Sequence, residues 1–170
     1  NGLSFLISKY QLKAVRTAFL VTHDKPLAED IVQDAFINFY KRVHQFNECR
    51  PFEPYFMTCV FNASLNAVLR EKRNLPYPQA SGEDEFEQLI CQSASVESDL
   101  ERSQLKGMML ALLARLSPRQ RAVIVQRYYL EMSEKEMSEA SRTAPGTIKW
   151  LLNAARTKLR GLLEGERIEE

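Results

Sequence analysis

At 170 residues, with 45% apolar and 26% charged content, the chain suits one or two small globular domains. No apolar run approaches the ~18 residues that span a bilayer and no signal-peptide pattern opens the chain, so a cytoplasmic protein without membrane insertion is expected. The net charge of +1 hides an uneven distribution: residues 1–73 hold ten bases and seven acids, 74–107 two and seven, and 108–170 eleven and eight. Two mildly basic modules around an acidic connector are therefore expected. Three cysteines (Cys49, Cys59, Cys91) and two histidines (His23, His44) have neither disulfide-framework nor metal-ligand spacing, so reduced thiols, no metal and no cofactor are expected. No nucleophile–base pair or phosphate loop can be assembled, which argues against an enzyme. The start at Asn1 in place of Met leaves room for a short native N-terminus ahead of it.

The elements point to an all-α protein with two small helical domains, 1–74 and 97–170, joined by an extended acidic linker at 75–96. In the first domain, apolar residues recur at helical period from Leu3 to Thr22 (Leu3, Leu6, Ile7, Tyr10, Ala14, Ala18, Leu20, Val21). The run breaks at His23 to Lys25, and Pro26 suits the first turn of a second helix at about Leu27 to Val43. That helix buries Ile31, Ala35 and Phe39, with Val32 and Phe36 beside them. Its acids come early (Glu29, Asp30, Asp34) and its bases late (Lys41, Arg42), matching the helix macrodipole. A loop carrying Phe46, Asn47, Cys49, Arg50 and Pro51 precedes a third helix at about Phe52 to Lys72, with Phe56, Val60, Ala63, Ala67 and Val68 at helical spacing. Aromatics (Phe46, Phe52, Tyr55, Phe56, Phe61) crowd the loop and this helix, near Arg50, Arg70, Lys72 and Arg73. Exposed rings of such a cluster can stack on unpaired bases while the cations follow the backbone. Most should be core, with two or three partly exposed.

Two prolines, a glycine, several serines and the acidic cluster 83–87 fill residues 75–96, a stretch too long and aperiodic for the interior of a domain. A fourth helix follows at about Val96 to Arg115. Ser117-Pro118 then opens a helix over Arg119 to Leu130, a short helix runs from Ser133 to Ser141, and after Arg142-Thr-Ala a last helix extends from Pro145 to about Leu163. Two helices joined by so short a turn, the second rich in exposed cations, suit insertion into a DNA major groove. Ile148, Leu152, Ala155 and Leu159 form the inward stripe of the last helix, with Leu151 beside it and Met137 and Ala140 facing it from the short helix. Thr147, Lys149, Trp150, Asn153, Arg156 and Lys158 lie opposite. The N-terminal half of that surface would meet base edges, and Arg156, Lys158 and Arg160 would meet phosphates.

Leu27 to Phe36 (LAEDIVQDAF) resembles the "AEDLVQETF" helix of the extracytoplasmic-function (ECF) sigma factors, exchangeable promoter-recognition subunits of bacterial RNA polymerase. Phe52-Glu-Pro-Tyr-Phe with Asn62 and Arg70 is similar to their "FxxWL…N…R" helix. Leu116 to Val123, Met132-Ser, Glu136-Met137, Ala140, Gly146 to Lys149 and Ala155-Arg156 with Leu159 resemble their C-terminal signature "LPxxxRxV…LSxxEIAxxLGxxxGTVKSRLxRARxxL". The resemblance runs in order over nearly the whole chain. It implies that Glu29, Asp30, Gln33, Asp34 and Phe36 dock on the clamp helices of the large subunit of core RNA polymerase. It implies that Phe46, Asn47, Arg50, Phe52, Tyr55, Asn62, Arg70, Lys72 and Arg73 capture and melt the −10 promoter element. It also implies that Arg142, Thr147, Lys149, Trp150, Asn153, Arg156 and Lys158 read the −35 element while their module rests on the polymerase flap. An anti-sigma factor is a further partner the family leaves room for.

The departures from the family pattern are Tyr55 for its Trp, Asn66 for its Asp, Arg142 for the turn Gly, and Lys149-Trp150-Leu151 for "KSR". A left-handed turn at Arg142 would carry strain. The thinned base contacts of the last helix imply an unusual −35 preference or weak dependence on that element. Two other readings stay open: a sigma-like adaptor that binds polymerase with little −35 specificity, motivated by an apolar Trp150-Leu151-Leu152 patch, and a stand-alone helix-turn-helix regulator.

Overall fold

A computed structural model describes residues 2–71 and 99–166, in which every regular element is helical. The chain divides into two compact units, Asn1–Gly82 and Glu83–Glu170. The linker expected at 75–96, the domain limits set beside it, and Lys72 and Arg73 lie outside the described residues.

The first unit holds α1 (Gly2–Thr22), α2 (Lys25–Lys41) and α3 (Phe52–Glu71), with α1 packed along both of the others. The C-terminal half of α1 buries Ala14, Val15, Ala18, Phe19 and Val21, the spacing that gathers one helix face. Thr17 is buried with them because its hydroxyl donates to the Lys13 carbonyl at 2.8 Å. His23 ends the helix in the left-handed region (φ 54°), its N–H donating to the Phe19 carbonyl. Asp24 then caps α2, accepting from the Leu27 N–H at 2.9 Å, and Pro26 stands in the first turn as its fixed φ favours. Because α2 begins at Lys25, its acids lie beyond the first turn, where the macrodipole has little hold on them. The dipole therefore does not explain them. On α3 the buried line is Phe56, Met57, Val60, Phe61 and Ser64, while Ala63, expected inside, is exposed. Ser64 can take the inner place because its hydroxyl donates to the Val60 carbonyl at 2.8 Å.

The second unit holds α4 (Asp99–Ala114), α5 (Pro118–Ile124), a π turn (Val125–Tyr129), α6 (Glu134–Ser141) and α7 (Pro145–Glu166). Ser117 and Gln120 close a reciprocal capping box at the start of α5, with Pro118 in its first turn. The helix expected to run on to Leu130 instead widens: the Leu130 N–H reaches the Val125 carbonyl five residues back, and Glu131 turns left-handed (φ 55°). Arg127 fastens this turn by donating from Nη1 to the Met132 carbonyl at 2.9 Å.

Arg121 is buried inside this unit. Its Nε donates to the Leu113 carbonyl at 3.0 Å, and its Nη2 to those of Ala114 and Leu116 at 3.4 Å. These acceptors lie at and just past the end of α4, where helical carbonyls run short of amide partners; that of Leu113 also accepts from the Leu116 N–H at 3.1 Å. Burial pushes the guanidinium down to about 10, which leaves it charged at neutral pH. We expect Arg121→Ala to lower the stability of the second unit by about 2–3 kcal/mol, the scale of hydrogen bonds from a charged donor to buried acceptors. Urea unfolding followed on that unit would show it; an unchanged midpoint would mean that water satisfies the three carbonyls.

Candidate nucleic-acid interface

In the first unit, one face of α3 gathers the expected contacts. Tyr55, Asn62 and Arg70 fall on a single stripe, and Cys59 and Asn66, both exposed, complete it. Burial, with Cys59 adding to it, pushes the Tyr55 hydroxyl up, and burial pushes the Cys59 thiol up. Both groups are therefore neutral at physiological pH and carry no charge that would repel a phosphate chain. At the Tyr55 end, Phe46 and Phe39 flank its ring, 5.1 Å and 6.5 Å from it between ring centres, and Phe52 packs on both of them. Phe46 and Phe52 are half-buried, Tyr55 is exposed, and Phe56 and Phe61 are core, so three of the five aromatics reach the surface. Asn47 is spent on its own loop: its side-chain oxygen accepts from the Cys49 N–H at 3.0 Å and its carbonyl from the Arg50 N–H. Arg50 is exposed beside it.

A second face lies on α2. Glu29, Asp30, Gln33 and Asp34 are all exposed, and the three acids form no ion pair among the described residues. Phe36, expected with them, is 6% exposed and packs its ring 4.3 Å from that of Phe56. It holds the face from beneath and does not belong to the surface. Ile37 and Tyr40, which sequence reasoning passed over, are exposed and continue the acidic stripe at helical spacing.

In the second unit, α6 and α7 form a helix-turn-helix about the three residues 142–144. Ser133 and Glu136 make the capping box of α6, and the Ser133 amide holds the Glu136 carboxyl below its usual range. Arg142 sits left-handed (φ 49°, ψ 39°), as its replacement of a turn glycine predicted. The turn is pinned from both sides by Ser138, whose hydroxyl donates to the Thr143 carbonyl at 2.6 Å while its carbonyl accepts from the Thr143 N–H. Met137, Ile148, Leu152 and Ala155 are fully or nearly fully buried and lock the two helices together.

That packing leaves Thr147, Lys149, Trp150, Asn153, Thr157, Lys158 and Arg160 exposed along α7, and Arg142 exposed in the turn. Trp150 is 66% exposed, but Leu151 and Leu152 are buried, so the expected apolar patch reduces to a single indole. Periodicity turns those two leucines toward α6 and leaves Trp150 on the opposite face. Arg156 is half-buried and already engaged, its Nε donating to the Tyr128 hydroxyl at 2.9 Å. Tyr128 went unrecognised in the sequence; Arg121 falls on the R of the "LPxxxRxV" signature, which marked the position but not the carbonyls it binds.

Residues 6–74 match the family model for sigma-70 region 2, and residues 106–159 that for sigma-70 region 4. The ECF RNA polymerase sigma factor SigM of Bacillus subtilis is 24% identical over 153 residues, covering 90% of each chain. The RNA polymerase sigma-E factor of Streptomyces avermitilis is 27% identical over 156 residues, 91% of this chain and 81% of the relative. Among solved structures, CnrH in complex with the cytosolic domain of CnrY has a TM-score of 0.64 at 18% identity, over 96% of this chain and 88% of that one. The sigma factor RpoE in complex with the anti-sigma factor NepR from Bartonella quintana has a TM-score of 0.60 at 22% identity, over 90% and 91%.

Arg142→Gly is expected to stabilise the second unit by roughly 0.5–1 kcal/mol. Left-handed strain of about 1–2 kcal/mol is relieved, offset by about 0.4–1 kcal/mol of added freedom in the unfolded chain. Chemical denaturation measures it, and a midpoint that does not rise would mean that the Ser138 bonds hold Arg142 there without strain.

Proposed function

The chain belongs to the ECF-type RNA polymerase sigma factors, and from that premise we propose that it binds core RNA polymerase and directs it to promoters, opening the −10 element with the first unit and reading the −35 element with α7. The observation that carries this reading is the pair of faces, each built on a long helix: exposed Tyr55 and Arg70 with half-buried Asn62 between them on α3, and exposed Lys149, Trp150 and Asn153 on α7. Phe46, Phe52 and Tyr55 would stack on a base as the duplex melts, offsetting the few kcal/mol that extrusion costs. Asn47 would shape the receiving loop, with Arg50 and Arg70 on phosphates and Asn62 facing the strand; Lys72 and Arg73 would continue that path. The acids Glu29, Asp30 and Asp34, with Gln33, would face the clamp helices of the large polymerase subunit, and the second unit would rest on the flap. Arg142, Thr147, Lys149, Trp150 and Asn153 would approach the groove, with Arg156 and Lys158 toward its walls. An anti-sigma partner is proposed on the strength of the two structural relatives, one of whose printed titles names such a factor.

Transcription from a promoter library by core polymerase, with and without this chain, tests the reading. Start sites sharing a −10-like and an upstream element should be enriched; polymerase binding with no enriched promoter would leave the chain an adaptor. Asp30→Arg with Asp34→Arg should weaken polymerase association by about tenfold or more while helicity is kept, and unaltered co-purification would remove the α2 face from the interface. Arg70→Ala should reduce the salt slope of promoter opening by about 0.7–0.9 for one lost phosphate contact.

A further inference from the structure

We propose that Tyr128 is a positioning residue that fixes Arg156 as a phosphate contact on one edge of α7, an inference that rests on the promoter-reading role proposed above for that helix. Tyr128 is 59% exposed, yet its hydroxyl accepts from the Arg156 Nε at 2.9 Å, and the guanidinium carbon lies 5.8 Å from its ring centre. The two residues are 28 apart in sequence and join the π turn to α7. An arginine on a helix surface ordinarily samples many rotamers, and one held along both its Nε edge and its face loses that freedom before any ligand arrives. The two terminal nitrogens are the fork that takes a phosphate, and they make no bond to protein among the described residues.

The π turn places Tyr128 there. In an uninterrupted α-helix, residue 128 would share a face with Arg121, Ile124 and Val125, all buried. The wider turn adds a residue to that circuit and carries the ring outward. On α7, Lys149, Arg156 and Arg160 follow one another at intervals of seven and four, so they share one edge, while Trp150, Asn153 and Thr157 occupy the middle of the exposed face. A helix lying in the major groove meets base edges along its middle and a phosphate strand along its flank. Arg156 therefore stands in a polar row at a flank, and the tyrosine sets where along that row the bidentate contact falls.

The test uses core RNA polymerase reconstituted with the full chain as wild type, Tyr128→Phe, Arg156→Ala and the double variant. Each is titrated against a duplex with the enriched upstream element and one with that element scrambled, over a range of salt, with upstream footprinting alongside. Tyr128→Phe keeps the ring and removes only the acceptor. It should weaken binding about three- to tenfold, the yield of one lost hydrogen bond, by the same factor on both duplexes. Its salt slope should fall toward that of Arg156→Ala, which drops by about 0.9, and the double variant should bind no worse than Arg156→Ala alone. An unchanged slope in Tyr128→Phe, with wild-type upstream protection present, overturns the positioning role and leaves the reading of α7 standing. A further loss in the double variant also overturns it, since Tyr128 would then touch DNA itself. Absence of upstream protection in the wild type fails the reading of α7, and the pair with it.

Discussion

Helices of seven or eight residues do not persist in water on their own, because nucleation uses most of the gain from so few bonds. The second unit is nevertheless built around two of them, α5 and α6, and what holds them is the satisfaction of their ends. Each opens on a serine whose hydroxyl takes an amide of the first turn while a Gln or Glu side chain returns the favour to the serine N–H. Between α4 and α5 the same requirement is met from the side by Arg121, whose guanidinium closes three carbonyls at the end of α4. Between α6 and α7, Ser138 and Thr143 exchange bonds across the turn. The apolar contacts of Met137, Ile148, Leu152 and Ala155 then have fixed partners to close upon. α7 can present a long exposed face because its other side is set by these short, capped neighbours.

The candidate contacts in both units stand on the longer elements, α3 with 20 residues and α7 with 22. A side chain on a packed helix is placed to within the freedom of its own rotamers, whereas one on a loop inherits the motion of the loop. Two connections contribute: the turn that carries Arg142 is pinned by Ser138, and the loop between α2 and α3 turns Asn47 onto its own backbone and rests Phe46 on Phe39, Phe52 and Tyr55. Burial of Phe36 beneath Phe56 ties the acidic face of α2 to the same aromatic core. The two surfaces of the first unit thus share their support, and a change in the core aromatics would disturb both.

Much of this was legible in the chain. The apolar periods marked each long helix, Asp24-Lys25-Pro26 and Ser117-Pro118 marked two helix starts, and the family turn glycine replaced by Arg142 foretold a left-handed residue. The apolar period also placed Phe36 inside, against the surface role that the resemblance implied for it, and its burial agrees with the period. Two features were not legible, each for a physical reason. The π turn at Val125–Tyr129 depends on one backbone bond shifting from four residues to five, a difference that side-chain pattern hardly records. The role of Arg121 follows from which carbonyls happen to lie near it once α4 and α5 are packed, which is tertiary information. The indole of Trp150 shows the opposite case: once Leu151 and Leu152 are assigned inward by spacing, its exposure follows.

That indole also bears on how α7 meets DNA on the proposed reading. The middle of its exposed face carries Trp150, Asn153 and Thr157, and its cations stand toward the flanks, Lys149 and Arg160 on one side and Lys158 on the other. Cations at the flanks attract phosphates of any sequence, whereas discrimination comes from the groups that reach base edges. Asparagine pairs with adenine through two bonds, and an apolar surface favours the thymine methyl, while the arginine that most often selects guanine is absent from this middle stripe. On the proposed reading this middle stripe would favour A·T pairs over G·C at the centre of the element. Arg142 adds a cation at the turn in a conformation that glycine would adopt without strain. On the proposed reading, a charge held beside the entry of α7 would serve a phosphate contact that offsets the backbone cost of about 1–2 kcal/mol.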